Sequence, residues 1–341
     1  KYPETVQQEV LLFASGRRMS QAILVRETGS AAVLKLEEYD PGPPASGQVR
    51  VRVMAAGVNF IDVYFRTGLY PAPLPFVLGR EGAGVVDVVG PNVSDLQVGD
   101  RVCWAMVPGG YADAVLIPES QIIKIPDGVS EEQAAAVMLQ GMTAHYLVHG
   151  TRTTRSGDTA LVHAAAGGVG LLLIQMLKQA GATVFGTCST EEKAALAQEA
   201  GADKVINYTT TDFADEVKKL TNGRGVDVVY DSVGQSTFNG SLRSLRPRGL
   251  LALFGQSSGP VSPFDLGQLN PLGSLFVTRP SLVHYIRDRA ELELRAHTVL
   301  ELVASKKLEV RIGNRFPLAD AAEAHRALEG RRTVGKVVLN I

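Results

Sequence analysis

Counted from Ala165, the stretch Thr159 to Gln175, TALVHAAAGGVGLLLIQ, reads A-x-G-x-x-G, with Gly167 and Gly170 in the last two places and Gly168 between them. Apolar residues lead into the glycines, and an apolar run ending at Gly181 follows. That is the pattern of strand, tight turn and helix. Such a turn binds anions: without a Cβ the backbone can approach a pyrophosphate, whose charge then meets the free N–H groups and positive dipole end of the helix. The chemistry implied is dinucleotide binding, with the first glycine of the fingerprint replaced by alanine. A purely structural turn could carry the same letters. What favours a ligand is a second strand, Thr183 to Thr187, reached after one helix as a βαβ unit demands.

The end of that second strand selects the dinucleotide. In an NAD site an acidic residue stands about 20 residues beyond the glycines and holds the ribose 2′-hydroxyl. Here the positions are Cys188 and Ser189, with Lys193 one helical turn beyond Ser189. A 2′-phosphate would meet a hydroxyl and an ammonium instead of an anion, so NADPH is favoured over NADH. Two charge-assisted hydrogen bonds of about 1.5–3 kcal/mol each amount to roughly a hundredfold preference or more. The competing reading is that Ser189 or Thr190 only caps a helix starting near Glu191, with Lys193 a solvated lysine.

These residues need a scaffold, and 341 residues of 45% hydrophobic content suffice for about two domains, each with its own core. A formal net charge of −1 without a long basic run argues against nucleic acid or an anionic membrane as the main partner. No segment has the roughly 18 consecutive apolar residues of a membrane span. The two cysteines, Cys103 and Cys188, cannot build a disulfide framework or a four-cysteine zinc lobe, which fits a reducing cytoplasm. Residues 1–18, before Met19, read as an upstream-translated or appended extension without the composition of a signal sequence.

From Met19 to about Pro126 short alternating strands with turn clusters such as PGPPASG predict a β-rich domain. Ser130 to Gly150 predicts a long helix, opened by Ser130 and Gln133 in capping-box spacing and bent at Gly141. Strand–helix alternation follows, with strands at Thr159–His163, Thr183–Thr187, Lys204–Ile206, Val226–Tyr230, Leu250–Phe254 and Gly273–Thr278. Such alternation builds a doubly wound parallel sheet. After Pro280 the pattern predicts a helix to about Ser305, a short strand near Leu308, a helix Ala319 to Glu329 and a final strand Gly335 to Ile341.

Several segments together resemble one family. They are AAGVNFIDVYFRTGLYP (Ala55 to Pro71), LGREGAGVVDVVG (Leu78 to Gly90), VGDRV (Val98 to Val102), HAAAGGVG (His163 to Gly170), YDSVG (Tyr230 to Gly234) and GSLFVTRPSL (Gly273 to Leu282). In this order they are similar to the quinone oxidoreductases, the zeta-crystallin branch of the medium-chain dehydrogenase/reductase superfamily. The resemblance implies an α/β fold: a GroES-like catalytic domain over 19–142, a Rossmann NADPH-binding domain over 143–280, and a segment 281–341 returning to the first. It also implies NADPH as cofactor, no zinc, a homodimer, and hydride transfer to a quinone in the cleft between domains.

Position by position, the resemblance assigns Gly167, Gly168, Val169 and Gly170 to the pyrophosphate, and Ser189, Lys193 and Tyr208 to the 2′-phosphate and adenosine end. Ser232, Phe254 and Ser257 fall at strand ends nearer the nicotinamide, with His145, Thr278, Arg279 and Arg332 as further cofactor contacts. Phe60, Ile61 and Asp62 belong to the nicotinamide side, where Asn59 and Asp62 organise a loop, although a turn-forming role for that pair is equally open. Tyr64 and Tyr70 line the substrate site, each offering a flat face and a hydroxyl.

Where the zinc alcohol dehydrogenases place their metal ligands, this chain has Asn59, Arg80 and Leu139, none of which is a zinc ligand. His145 and His149 share a helix face, yet no Cys, Asp or Glu at suitable spacing joins them. Without a Lewis acid the substrate must accept hydride readily, as a quinone does. The alternatives are an enoyl thioester or other α,β-unsaturated carbonyl, with Tyr70 as proton donor, and an RNA-binding or structural role of the zeta-crystallin kind.

Overall fold

The computed structural model describes residues 20–341, so the extension expected over 1–18 lies outside the described residues. The chain divides into two units. One holds the residues up to Leu139 together with Ala296–Ala304 and Ile312–Ile341, and the other holds Gln140–Arg295 and Ser305–Arg311.

The first unit is mainly antiparallel. A three-stranded sheet joins β1 (Ser20–Val25) to β2 (Lys35–Tyr39) on one side and β4 (Phe76–Val77) on the other. The seven-stranded sheet is centred on β3 (Gln48–Val58). One edge of β3 carries β5 (Glu81–Val89), the other β7 (Ala114–Pro118) along its first half and β16 (Lys336–Asn340) along its second. β6 (Arg101–Ala105) and β8 (Ile123–Lys124) extend the sheet beyond β5, and β15 (Ile312–Pro317) pairs with β16 in parallel. Alternation in β3 puts Val49, Val51 and Val53 into a core with Val86, Val102, Trp104 and Ile117. A second core, with Ile23, Leu78, Tyr111 and Leu339, packs on α8 (Ala321–Glu329) through Ala321 and Ala324.

Residues 60–67, expected in a loop, form helix α1 (Phe60–Thr67). The sequence does encode it: the Asp62 carboxylate accepts the Asn59 N–H at 2.9 Å, and Gly68 ends the helix at φ 80°.

The second unit has a parallel sheet in the order β11 (Lys204–Asn207), β10 (Thr183–Cys188), β9 (Thr159–Val162), β12 (Val226–Asp231), β13 (Leu245–Leu253), β14 (Phe276–Thr278). This is the doubly wound sheet the alternation predicts. Helices α3 (Gly168–Gln179), α4 (Glu191–Glu199), α5 (Phe213–Leu220) and α6 (Phe238–Ser244) connect its strands. Leu161, Phe185, Val229, Leu242 and Leu251 form its core.

Helix α2 (Glu131–Tyr146) opens with the expected reciprocal cap, Ser130 N–H to Gln133 Oε1 at 3.0 Å and Gln133 N–H to Ser130 Oγ at 3.1 Å. Its irregularity falls beyond the expected bend at Gly141, as a wider π-helical turn over Leu147–Thr151.

The helix expected straight after Pro280 begins later, as α7 (Arg289–Ala304), because the Asp288 carboxylate accepts the Glu291 N–H at 2.9 Å and caps it there. The strand placed near Leu308 is β15 instead, whose partner β16 aligns with 312–317. Leu308 itself is a buried loop residue.

Candidate functional site

In the second unit one register row crosses the sheet through Gly186, Val162, Tyr230, Ala252 and Thr278. The chain leaves every strand just beyond this row, so the carboxyl ends of the strands gather the residues in question. Ser232 and Phe254 follow the ends of β12 and β13, and Ser257 donates its N–H to Ser232 O at 3.1 Å. Thr278 closes β14, and Arg279 donates to Leu253 O at 3.0 Å.

The glycine turn sits at the middle of this row. Ala164 takes the left-handed region at φ 50°, Gly167 caps α3, and the helix starts at Gly168 and Val169. The first N–H groups of a helix have no intrahelical acceptor, so they are available to a ligand. At Gly170 a Cβ would stand 2.6 Å from the Ala165 carbonyl oxygen, which fixes glycine for close packing of turn on helix. At Gly168 a Cβ would collide with the Gln140 side chain. Alanine at the first fingerprint position has its compensation on β10: a Cβ on Gly186 would lie 2.8 Å from Ala165 Cβ, so the glycine has moved to the facing strand. The turn fits a pyrophosphate.

Beyond β10, Thr190 is the cap of α4, its hydroxyl accepting the Lys193 N–H at 3.2 Å. Ser189 is therefore not needed as the cap; it stands half-buried one residue past the strand end. Tyr208 is exposed and hangs from the neighbouring strand end, its N–H bonded to Cys188 O at 3.1 Å. The nearest acid in sequence, Glu191, faces Asn207, whose side-chain amide donates to it at 3.5 Å. Burial raises the Cys188 thiol to about 11, with backbone donors and Lys193 opposing it, so it stays a thiol at neutral pH.

Sequence reasoning passed over the buried polar cluster behind this turn. His163 precedes Ala164; its Nδ1 lies 2.9 Å from Thr187 Oγ1 and its Nε2 3.0 Å from Ser241 Oγ. The Ser241 hydroxyl donates to Asp231 Oδ2 at 2.8 Å, so its oxygen must accept from Nε2–H, and Nδ1 accepts from Thr187. Burial lowers the His163 pKa and keeps that neutral form. One imidazole thus ties the glycine turn to the end of the strand that carries Ser189. A histidine in an apolar strand, VHAAAGG, was the available signal.

In the first unit, α1 carries Phe60, Ile61, Asp62 and Tyr64, and Tyr70 folds back so that its N–H meets Tyr64 O at 3.0 Å. Tyr64 and Tyr70 lie edge to face with centroids 5.2 Å apart, Phe65 and Tyr70 likewise at 5.6 Å, and Phe60 is 6.2 Å from Tyr64. The Arg80 guanidinium sits 3.7 Å over the Phe65 ring. Rings and a cation suit a planar, electron-poor or anionic guest.

Beneath them lies a network absent from the sequence reading. Lys336 Nζ donates to Glu81 Oε2 at 2.5 Å and to Asn59 Oδ1 at 2.8 Å, while Asn59 Nδ2 donates to Glu81 Oε2 at 2.8 Å and the Leu139 N–H to Glu81 Oε1 at 2.6 Å. All four of these residues belong to this unit. At two of the positions aligned with metal ligands, then, Asn59 is committed to an ion pair and Arg80 is itself a cation. Among the described residues no group of three His, Cys, Asp or Glu side chains comes together. Lys336 stands alone among apolar residues in GKVVLN, and an isolated lysine in a buried strand requires a buried partner.

A second chain of bonds reaches the outside. Glu329 pairs with Arg66 at 2.7 Å; Arg66 Nη1 lies 3.1 Å from His325 Nδ1; His325 Nε2 lies 3.3 Å from the Tyr111 oxygen; the Tyr111 hydroxyl donates to Asp62 Oδ2 at 3.1 Å. Arg66 can only donate, so Nδ1 accepts and Nε2 carries the proton: His325 is neutral. Burial, then the Arg66 charge, push it down to about 3. Burial pushes Asp62 up to about 7, against the Asn59 N–H, Lys336, Tyr111 and Arg80.

These two shifts have opposite consequences for stability. Asp62 holds its proton more tightly when folded, so its contribution falls as pH rises from about 4 to about 7; His325 holds its proton less tightly when folded, so its contribution rises from about pH 3 to about 6.5. Replacing one alone should expose the other. Asp62→Asn should make the stability of the variant climb more steeply with pH between 4 and 6 than the wild type, and His325→Phe should make it fall. Urea midpoints across that range check this, and parallel profiles for all three proteins would refute it.

Arg332 pairs with Glu323 at 2.9 Å in the first unit, and His145 lies near the end of α2 in the second.

Two family models match the chain: "Alcohol dehydrogenase GroES-like domain" over 45–127 and "Zinc-binding dehydrogenase" over 168–304. A quinone oxidoreductase of Pseudomonas aeruginosa is 46% identical over 323 residues, 94% of this chain and 99% of that protein. The chain belongs to the quinone oxidoreductase family. Another relative in the same range, a 2-haloacrylate reductase of a Burkholderia species, is 44% identical over 330 residues, covering 94% and 99%. The Escherichia coli quinone oxidoreductase, solved with NADPH, superposes with a TM-score of 0.92 at 43% identity, over 94% of this chain and all of that one. Membership accounts for both units: the first is the GroES-like domain and the second the Rossmann domain of that family, as the sequence resemblance implies.

Proposed function

We propose that this chain is a zinc-independent, NADPH-dependent quinone reductase. The observation that carries the reading is the donor set of the first unit: a cation, Arg80, and an ion-paired amide, Asn59, in the places of metal ligands, beside the rings of Tyr64 and Tyr70. A site so built has no group to stabilise an alkoxide and suits an acceptor whose conjugated carbonyls make the product oxyanion stable without metal. NADPH, when bound, supplies the hydride. The chain's own part is to hold the pyrophosphate at the α3 N-terminus through Gly168 and Val169, the 2′-phosphate at Ser189 and Lys193, and a planar acceptor against Tyr64 and Tyr70. Tyr208, Ser232, Phe254, Ser257, Thr278, Arg279, His145 and Arg332 complete the cofactor site in this proposal, with Phe60, Ile61 and Asp62 on the nicotinamide side. The division into a catalytic domain over 19–142, a cofactor domain over 143–280 and a returning segment over 281–341 belongs to the same reading, as does a cytoplasmic location, where the buried thiols Cys103 and Cys188 stay reduced.

A second reading rests on the 2-haloacrylate reductase relative: the acceptor is an activated carbon–carbon double bond, and Tyr70 delivers the proton after hydride arrives. Both are tested together by NADPH oxidation with chelator-treated protein and 1,4-benzoquinone, 9,10-phenanthrenequinone or crotonyl-CoA, each repeated with NADH. Quinone turnover that survives chelation and prefers NADPH supports the first reading. Turnover of crotonyl-CoA alone replaces it with the second.

A homodimer is part of the proposal. Strand β14 is the sheet's edge, and its Phe276 and Val277 are 61% and 38% exposed, an apolar edge that a twofold mate would cover. Phe276→Glu should convert a dimer to a monomer in light scattering. A wild-type protein already monomeric at micromolar concentration would contradict it.

A further inference from the structure

Inside the second unit, the last turn of α2 and the π-helical turn that follows it pack against Tyr285 and Arg295 of α7. Tyr146 stacks on Tyr285 at 4.2 Å, and Thr151 Oγ1 lies 3.2 Å from Tyr285 OH. Arg295, on α7, is 8% exposed, with its guanidinium 5.7 Å from the Tyr285 ring centroid. Among the described residues its one hydrogen bond is a long one, Nη1 to the Glu291 carbonyl at 3.5 Å, its Nε is buried without a partner, and it forms no ion pair.

An arginine this buried normally answers a carboxylate. Here the groups beside it are the Glu291 carbonyl, the Tyr285 ring and, through its charge, His145. His145 and His149 lie with ring centroids 4.8 Å apart, and among the described residues the Nδ1 of His145 is likewise buried without a partner. The backbone at Gly150 lies against the guanidinium, where a Cβ would stand 3.5 Å from Arg295 Nη2 and 3.1 Å from Tyr285. His149 and Gly150 are themselves exposed, so this ground is reachable from solvent.

We propose that Arg295, His145 and His149 form a binding site for a small oxyanion, a carboxylate or a phosphate. Such a guest would supply an acceptor for the guanidinium Nε–H and, by favouring the imidazolium that takes its proton from solvent, for the Nδ1–H of His145 as well. Burial first, then the charges of the partner histidine and Arg295, hold His145 down to about 4, and burial lowers His149, so an anion bound between them would raise both. The charge that acts on the adjoining Tyr146 is also positive, that of Arg279.

The test is made on the full chain without cofactor, with phosphate and acetate as probes against chloride at matched ionic strength. In wild-type protein a saturating oxyanion should raise the NMR titration midpoints of His145 and His149 by about one pH unit or more, and raise Tm by about 3 °C. Arg295→Met should abolish both responses. Lys193→Glu should keep them, which separates this site from the one for the cofactor's 2′-phosphate. Whichever of phosphate and acetate acts at lower concentration names the class. The proposal fails if chloride does as well as either, or if Lys193→Glu removes the response while Arg295→Met retains it. Should Arg295→Met not fold, the wild-type histidine titrations decide alone: midpoints unmoved by both probes overturn the site.

Discussion

Lys336→Met should destabilise the first unit by about 3–5 kcal/mol, the usual consequence of leaving one member of a buried ion pair uncompensated. Both side chains are almost fully buried, at 1% and 0% side-chain exposure. Removing the ammonium leaves Glu81 with two neutral donors, Asn59 Nδ2 and the Leu139 N–H, and no counter-charge. Gly57 shows how little relaxation is available: a Cβ there would stand 2.7 Å from Lys336 Nζ and close to the Ala135 carbonyl. Trp104, the chain's only tryptophan and buried in this unit's core, reports the unfolding of this unit in urea. The double variant Glu81→Gln, Lys336→Met should recover much of the loss, because glutamine keeps an oxygen for the Leu139 N–H without the charge. If Lys336→Met lost less than about 1 kcal/mol, the pair would be worth no more than an exposed one, and the account of Asn59 as an amide held between two buried charges would fall with it.

This network also shows where sequence reading stops. The second unit was legible because its signals are local: the A-x-G-x-x-G turn, strands at regular intervals, and strand ends that the parallel topology must gather on one side. Its missing glycine became intelligible only when Gly186 was seen facing Ala165 from the next strand. In the first unit the decisive partners are far apart in sequence. Asn59, Glu81, Leu139 and Lys336 come from a helix cap, an inner strand, a helix and the last strand, and no periodicity relates them. Helix α1 was missed for another reason: Asn59 and Asp62 have capping spacing, but β-branched and aromatic residues in NFIDVYF weaken the helical signal that follows. The lone Lys336 in an apolar strand, and the lone His163 in another, were the two visible marks of buried polar networks.

Lys193→Glu should raise the KM for NADPH by roughly a hundredfold while leaving the KM for NADH within about threefold, because it removes one charge-assisted bond to a 2′-phosphate, about 1.5–3 kcal/mol, and sets a like charge in its place. The structure sharpens the reason. Thr190, not Ser189, caps α4, so the Ser189 hydroxyl is not spent on the helix, and the Lys193 N–H that the Thr190 hydroxyl binds fixes the first turn on which the ammonium is carried. A glutamate there would bring an anion to the phosphate while remaining neutral in effect toward a 2′-hydroxyl, which carboxylates in NAD sites accept as a hydrogen bond. Ser189→Ala should give a smaller change in the same direction, about tenfold, since it removes one neutral donor. The comparison that decides is the ratio of KM values for the two cofactors in each variant, measured with one quinone. Equal changes for NADPH and NADH would mean that Lys193 supports α4 without reading the phosphate, and the selectivity would then have to come from another strand end, with Tyr208 the next residue to replace.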